Sequence, residues 1–224
     1  MSKKKKRRQL LVEGKNDQHV VWALCQQYKV PKTFTVEIPG DVDGGIEELL
    51  AGIPLRLKSS NLAALGIVVD ADQNLQGRWQ SISDRLSKAG YGTYLPKQPD
   101  PNGTIISAPS KPPIGIWLMP DNQSSGMVED FVARLIPDHD LLAPKAEAIL
   151  QDIEQEKLNL YIAQPFCKLR APHHSKALIH TWLAWQKIPG RPMGQSITAH
   201  ALQYDKALAN TFVAWLKRLF SKEN

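Results

Sequence analysis

Two short apolar runs in this chain end in acidic side chains, and those acids are the residues best placed to do chemistry. The runs cover residues 10–12 and 66–69. The acids that follow them are Glu13, Asp17, Asp70 and Asp72. Apolar runs of this length, bounded by turn-forming residues, are typical of buried strands in a parallel sheet. Ligands of such sheets gather at the carboxyl ends of the strands. We therefore predict that these acids meet at one sheet edge.

The chemistry that fits such a group is binding of a hard cation. Carboxylates brought together repel one another unless a positive charge lies between them. Oxygen atoms are the ligands that Mg²⁺ takes, so the sequence predicts a site for Mg²⁺ or Mn²⁺. Simpler roles stay open for the same residues. Glu13 and Asp17 could cap a helix, and Asp70 and Asp72 could be turn residues.

The elements needed to position these acids alternate between strand and helix. Over residues 8–90 the pattern predicts strands at 8–12, 33–38 and 65–69, with helices at 17–28, 46–57 and 76–88. This alternation indicates an α/β fold with a parallel sheet flanked by helices. The proline-rich stretch 91–120 predicts two short strands, 104–108 and 114–119. A helix through residue 136 follows, and then helices at 141–158, 174–186 and 205–220. We predict a basic arm (1–8), an α/β core (9–137) and a helical C-terminal extension packed on it (138–224).

The net charge of the 224-residue chain is +6, and residues 3–8 alone supply six positive charges. Positive and negative charges are equal in number in the rest of the chain, so the excess of positive charge is confined to this segment. Such an arm can bind phosphates through counterion release, which makes Lys4, Lys5, Lys6 and Arg7 candidate nucleic-acid contacts; a solvated tail is the equal alternative. No apolar run is long enough to span a bilayer and no secretory signal is recognisable. Two cysteines, Cys25 and Cys167, without metal-like spacing favour a cytoplasmic protein.

The pairing of residues 12–17 with residues 69–72 resembles the Toprim module, in which one strand ends in Glu-Gly and a later strand ends in Asp-x-Asp. The whole chain looks like an uncharacterised family of small Toprim-like proteins related to the OLD-family nucleases. The closer likeness depends on residues 119–122, 126–131 and 174–186. It implies a Toprim-like, Rossmannoid sheet.

The resemblance also implies a role for each acid. Glu13 would be a metal-linked carboxylate or the general base, and Asp70 and Asp72 would hold Mg²⁺. Asp17 would join a two-metal site. A further acid would come from a later helix start, where Glu129 is the first choice and Asp130 the reserve. The OLD nucleases place a lysine near the scissile phosphate, and Lys176 is the candidate.

Asp121 and His174 are additional candidates with plainer alternatives. Asp121 could form an Asx turn with Asn122, and His174 could belong to a packed or surface helix. His173, His174 and His180 lack a companion cysteine pattern, so a transition-metal site is not favoured. Trp182, Trp185 and Trp215 have the spacing of helical core residues, which is favoured over base stacking.

We therefore expect a Mg²⁺-dependent, nuclease-like protein that cleaves phosphodiester bonds of DNA or RNA. The alternative is a non-catalytic scaffold that binds metal and nucleic acid. OLD nucleases are normally fused to an ABC-type ATPase, but no Gly-x-x-x-x-Gly-Lys-[Ser/Thr] motif occurs here. Any ATP use would thus require a separately encoded ABC- or AAA-type partner. A homo-oligomer stays open.

Overall fold

The fold is built on a five-stranded sheet, seen in a computed structural model that describes residues 6–40, 45–158 and 170–221, with side chains in the last range from residue 174 onward. The strands are β1 (Arg7–Val12), β2 (Thr35–Glu37), β3 (Leu62–Asp70), β4 (Thr104–Ile106) and β5 (Ile114–Met119). Their spatial order is β2-β1-β3-β5-β4, and only β4 runs antiparallel to its neighbour. Two of the predicted arm residues, Lys4 and Lys5, lie outside the described residues.

Helices follow most of the strands and continue to the C-terminus. They are α1 (Lys15–Gln27), α2 (Ile46–Leu57), α3 (Leu75–Leu86), α4 (Val128–Ala133), α5 (Ala143–Gln155), α6 (Arg170–Ala184), α7 (Met193–Thr198) and α8 (Ala207–Phe220). After α3 the chain makes a wide helical turn (Ser87–Tyr91) and a 3₁₀ turn (Gly92–Tyr94). Within the described ranges, none of these helices has the length and apolar character needed to cross a bilayer.

The sheet is buried on both faces, which explains why its strands are continuous apolar runs. Successive strand side chains point to opposite faces. Leu10 and Val68 pack with residues of α1, α4, α6, α7 and α8, whereas Leu11 and Ile67 pack with residues of α2 and α3. Helix α5 lies outside this layer and packs on α6. The C-terminal helices thus share a core with the sheet.

The predicted α/β class, the mostly parallel sheet and the C-terminal helices are confirmed. One local prediction was wrong. The arm was expected to run through residue 8, but β1 begins at Arg7. Helix α7, which begins at Met193, packs against α1. A Cβ atom on Gly194 would lie 2.6 Å from the carbonyl oxygen of His19, so glycine permits this close approach.

Candidate functional site

The candidate site lies between β1 and β3, at the carboxyl ends of the parallel strands, which we call the carboxyl edge. From β1 the chain moves outward to β2, and from β3 it moves to the opposite side of the sheet, toward β5. The connections that follow β1 and β3 thus leave in opposite directions. The place where they part forms a crevice, and α/β proteins bind their ligands in crevices of this kind. Glu13 follows β1 directly, and Asp70 is the last residue of β3. The sheet therefore brings together acids that are 57 residues apart in sequence.

Hydrogen bonds to carboxylates join three segments at this edge. The backbone N–H of Asp70 donates to Oε1 of Glu13 at 2.7 Å. The backbone N–H of Val128, the first residue of α4, donates to Oδ1 of Asp70 at 2.9 Å. The next residue is Glu129, the predicted acid from a later helix start. The start of α4 is thereby held against the ends of β1 and β3.

Three of the acids are almost fully buried, which is rare for carboxylates. The exposed fractions are 5% for Asp17, 8% for Asp70 and 2% for Glu129. Moreover, Oδ1 of Asp17 and Oε2 of Glu129 are buried without a hydrogen-bond partner in the described part of the chain. A buried polar atom without a partner is costly to maintain and calls for an explanation. We refer to Glu13, Asp17, Asp70 and Glu129 as the acidic cluster.

All four carboxyl groups of the acidic cluster have raised pKa values. Burial raises the pKa of Glu13 to about 7. Burial, reinforced by the charge of Glu13, raises the pKa of Asp17 to about 7. The pKa of Asp70 rises well above its ordinary value through burial and then through the charges of Asp17 and Glu13, and burial raises that of Glu129. The acids thus oppose one another's ionisation, and a cation among them would reverse that effect.

Lys176, on α6, changes the pKa values of acids in this cluster. It is exposed, and its charge lowers the pKa of both Glu13 and Glu129 against the effect of burial. The predicted lysine is therefore near enough to affect Glu13, which is 163 residues earlier in the sequence, and Glu129, which is 47 residues earlier. His180, one helical turn further along α6, also lowers the pKa of Glu129.

Asp72 lies at the rim and is paired with Arg78, a residue that the sequence analysis missed. Asp72 has a left-handed backbone, with φ of 51°, and its carboxylate accepts a hydrogen bond from Nη2 of Arg78. Nε of Arg78 also donates to the carbonyl oxygen of Asp70 at 2.8 Å. Asp72 is thus ion-paired with Arg78, and its charge still raises the pKa values of Glu13 and Asp70. Arg78 is a single arginine in the first turns of α3, and no sequence motif around it predicts this contact.

Asp130 and His174 anchor α6, which carries Lys176. The hydroxyl of Ser175 donates to Oδ1 of Asp130 at 2.6 Å, and Oδ2 of Asp130 accepts from the N–H of Met127 at 2.8 Å. The imidazole of His174 contacts two acids of α5: its Nδ1 lies 2.8 Å from Glu154, and its Nε2 lies 3.1 Å from Glu147. Both residues therefore hold neighbouring helices together beside the acidic cluster.

Asp121, the other additional candidate, is enclosed by local hydrogen bonds. Its carboxylate accepts from Arg134, from the backbone of Gln123 and from both the backbone and hydroxyl of Ser124. Partial burial acts to raise the pKa of Asp121, but these hydrogen bonds outweigh it and lower the pKa to about 2. The plainer prediction of a turn residue fits these contacts.

The described basic residues of the arm lie at the opposite end of the sheet. Lys6 and Arg7 are exposed at the start of β1, whereas the acidic cluster lies beyond its end. Nucleic-acid binding by these two residues stays a prediction.

Within the described ranges, no group of three or more His, Cys, Asp or Glu side chains is arranged so that it could hold a metal ion. Glu13 and Asp70 each direct one carboxylate oxygen to a backbone N–H group. An ion at this edge would need to draw the carboxylates of the acidic cluster closer together.

Residues 7–221 match the family described as "Protein of unknown function (DUF3226)". No curated protein and no solved structure matches the chain.

Proposed function

The chain belongs to the DUF3226 family, and we propose that it is a Mg²⁺-dependent, nuclease-like enzyme that cleaves phosphodiester bonds of nucleic acids at the acidic cluster. The observation that supports this proposal is the convergence of four carboxylates, three of them almost fully buried, from the ends of β1 and β3 and from α1 and α4. Two of them, Asp17 and Glu129, have a buried oxygen with no hydrogen-bond partner among the described residues. The proposal also uses the resemblance of residues 12–17 and 69–72 to the Toprim module.

A divalent cation explains the cluster better than packing does. Burying unpaired carboxylates opposes folding, because each must either ionise without solvation or bind a proton. For Glu13, the rise in pKa from 4.5 to about 7 corresponds to roughly 3 kcal/mol of opposition to its charged form. Mg²⁺ accepts oxygen ligands and would offset the negative charge of these groups while polarising a bound phosphate.

The protein's own residues would orient the reactants and move the proton. Glu13, whose pKa lies near neutrality, can accept the proton of the attacking water. The water oxygen forms a bond to phosphorus as the bond from phosphorus to the leaving oxygen breaks, and the leaving oxygen takes up a proton from solvent water. Lys176 would stabilise the negative charge that develops on the phosphoryl oxygens. Arg78 holds Asp72 and the end of β3 in place.

The test is cleavage of labelled plasmid, single-stranded DNA and RNA in the presence of Mg²⁺ or Mn²⁺. Wild type is compared with Asp70→Asn, in which Oδ1 can still accept the N–H of Val128 while the charge is lost. Asp84→Asn is the matched control, because Asp84 is an exposed acid on α3. We expect metal-dependent cleavage by wild type and by Asp84→Asn, and its loss in Asp70→Asn.

Two other outcomes would count against the proposal. Cleavage that persists in Asp70→Asn would place the activity elsewhere. If wild type binds Mg²⁺, as measured by calorimetry, but cleaves none of the substrates, the scaffold alternative is favoured.

A separately encoded ATPase and a cytoplasmic location are further parts of the proposal. The location is supported by Cys25, a free thiol that is partly buried.

A further inference from the structure

A groove of about 810 Å³ opens at the other end of the sheet, where β1, β3 and β5 begin. We call this end the amino edge. The positively charged residues that line the groove are Lys6, Arg8, Lys58, Lys111 and Arg218. Five serines also line it, and no Asp or Glu among the described residues does. These cations come from four separate parts of the sequence. We refer to this feature as the basic groove.

The parallel sheet explains why distant cations meet there. Lys6 and Arg8 lie at the start of β1, and Lys58 lies between α2 and the start of β3. Lys111 lies just before β5. Parallel strands start at the same edge, so the segments that lead into them must lie side by side. Arg218, in the last turn of α8, completes the group.

Two of the cations are held in place by backbone carbonyl groups. Nζ of Lys111 donates to the carbonyl oxygens of Ala89 and Gly90 at 2.7 and 3.0 Å, and lies 4.9 Å from the centre of the Tyr91 ring. Nη2 of Arg218 donates to the carbonyl oxygen of Asn102 at 2.6 Å. An ammonium group has three donors and a guanidinium has five, so both retain donors for an anion.

We propose that the basic groove is a binding surface for the phosphate backbone of nucleic acid. In the sequence, Lys6 continues a run of basic residues that begins at Lys3. Several cations spread over adjacent strand starts suit a polyanion, which releases counterions when it binds. Tyr91, the aromatic residue of the lining, is only 1% exposed and offers no face for base stacking. The groove therefore contacts phosphates, and binding does not depend on base sequence.

This inference is independent of cleavage, because binding is measured without metal. Fluorescence anisotropy of a 5′-fluorescein-labelled 30-nucleotide DNA strand, and of its duplex, is followed in EDTA over a series of KCl concentrations. The variant is Lys6→Ala/Lys58→Ala, because both lysines are exposed. The matched control is Lys145→Ala/Lys187→Ala, two exposed lysines outside the groove. Circular dichroism melting confirms that each variant is folded.

We expect wild type and the control variant to bind both probes with the same salt dependence. The groove variant should bind about tenfold or more weakly at low salt. For the duplex, its slope of log K against log salt should be shallower by about 2, because two phosphate contacts are lost. An equal loss in the control, or no change in the groove variant, would overturn the proposal. Displacement of the probe by inorganic phosphate at low millimolar concentration would also overturn it, since the groove would then be a site for small anions.

Discussion

The two edges of the same sheet carry opposite charges in opposite environments. At the carboxyl edge, Asp17, Asp70 and Glu129 are buried, and the pKa values of the acidic cluster are raised. At the amino edge, Lys6 and Lys58 are exposed beside a solvent-accessible groove. Burial strengthens electrostatic interactions and makes unpaired charge costly, whereas exposed charges are screened by salt. Under the two proposals, the acids would hold an ion and the cations would attract a polyanion.

The separation of the two edges constrains any substrate that contacts both. Strand β3 runs from the groove at Leu62 to the acidic cluster at Asp70, and its nine residues span about 30 Å. A nucleic acid held in the basic groove reaches the acidic cluster only if it extends at least that far around the domain. If both proposals hold, the groove raises affinity for long substrates, and the acidic cluster sets the rate of cleavage.

The largest expected effect is on the rate of cleavage at the carboxyl edge, with no change in the affinity for DNA. Lys176→Ala should reduce the rate of metal-dependent cleavage by about 10²–10³-fold, because an electrostatic donor to the transition state is lost. The same variant should bind the labelled DNA in EDTA as wild type does, because Lys176 is at the opposite edge from the groove. Single-turnover cleavage and anisotropy measure the two quantities.

Lys187→Ala is the control for this prediction, since Lys187 is an exposed lysine just beyond the end of α6. It should leave both quantities unchanged. Lys176→Arg keeps the charge and should recover part of the rate. A rate in Lys176→Ala within threefold of wild type would remove Lys176 from the proposed chemistry.

The second expected effect is a change of folding stability with pH, which arises from the acids of the carboxyl edge alone. Carboxyl groups with a raised pKa stabilise the folded state below their unfolded pKa, and that stability is lost as the pH rises through the folded pKa. For Glu13 and Asp17 the window runs from about pH 4 to above pH 7. In EDTA, the free energy of unfolding should fall by about 3 kcal/mol between pH 5 and 8, which is a decrease of roughly 10 °C in Tm.

Asp17→Asn tests the origin of this decline. The variant should be more stable than wild type at pH 8 in EDTA, because a buried charge is removed. Mg²⁺ should raise the Tm of wild type more at pH 8 than at pH 5, since the ion competes with protons for the carboxylates. It should raise the Tm of the variant less. An identical pH dependence in the two proteins would show that the acidic cluster does not ionise as a group.

The sequence was sufficient to predict the sheet and the meeting of Glu13, Asp17 and Asp70 at one edge, because apolar runs mark buried strands and parallel strands end at one edge. Glu129 was expected from the family resemblance. The sequence was not sufficient to predict the tertiary contacts made around the site. Arg78 of α3 contacts Asp70 and Asp72, and Ser175 of α6 contacts Asp130 of α4. Both sets of contacts depend on tertiary packing, which no local pattern encodes. The basic groove was missed for the same reason. Apart from Lys6 and Arg8, which belong to the basic arm, its cations are scattered singly along the sequence and meet only at the amino edge.

The α7 helix shows a different limit. Local pattern alone would place a turn at Gly194, because glycine favours turns. In the fold, Gly194 is needed for the close approach of α7 to the carbonyl oxygen of His19. Whether a glycine serves chain reversal or close packing is decided by a contact with another helix, which the local sequence does not contain.

The smallest expected effect concerns His174, which joins α6 to α5. Burial acts to lower the pKa of His174, but its contacts with Glu154 and Glu147 outweigh burial and raise the pKa. A histidine with a raised pKa contributes stability below its unfolded pKa of about 6.5, and that contribution is lost as the pH rises through the folded value. Since the group is partly solvated, His174→Gln should lower the free energy of unfolding by about 0.5–1 kcal/mol at pH 5.5, and by less at pH 8.5.

His139→Gln, at an exposed histidine between α4 and α5, is the control and should show no such difference between the two pH values. Since His174 lies two residues before Lys176, His174→Gln should also slow cleavage modestly while leaving DNA binding in EDTA unchanged. Equal losses of cleavage and binding would mean that the two edges are coupled through the fold. They would then not be independent sites on one sheet.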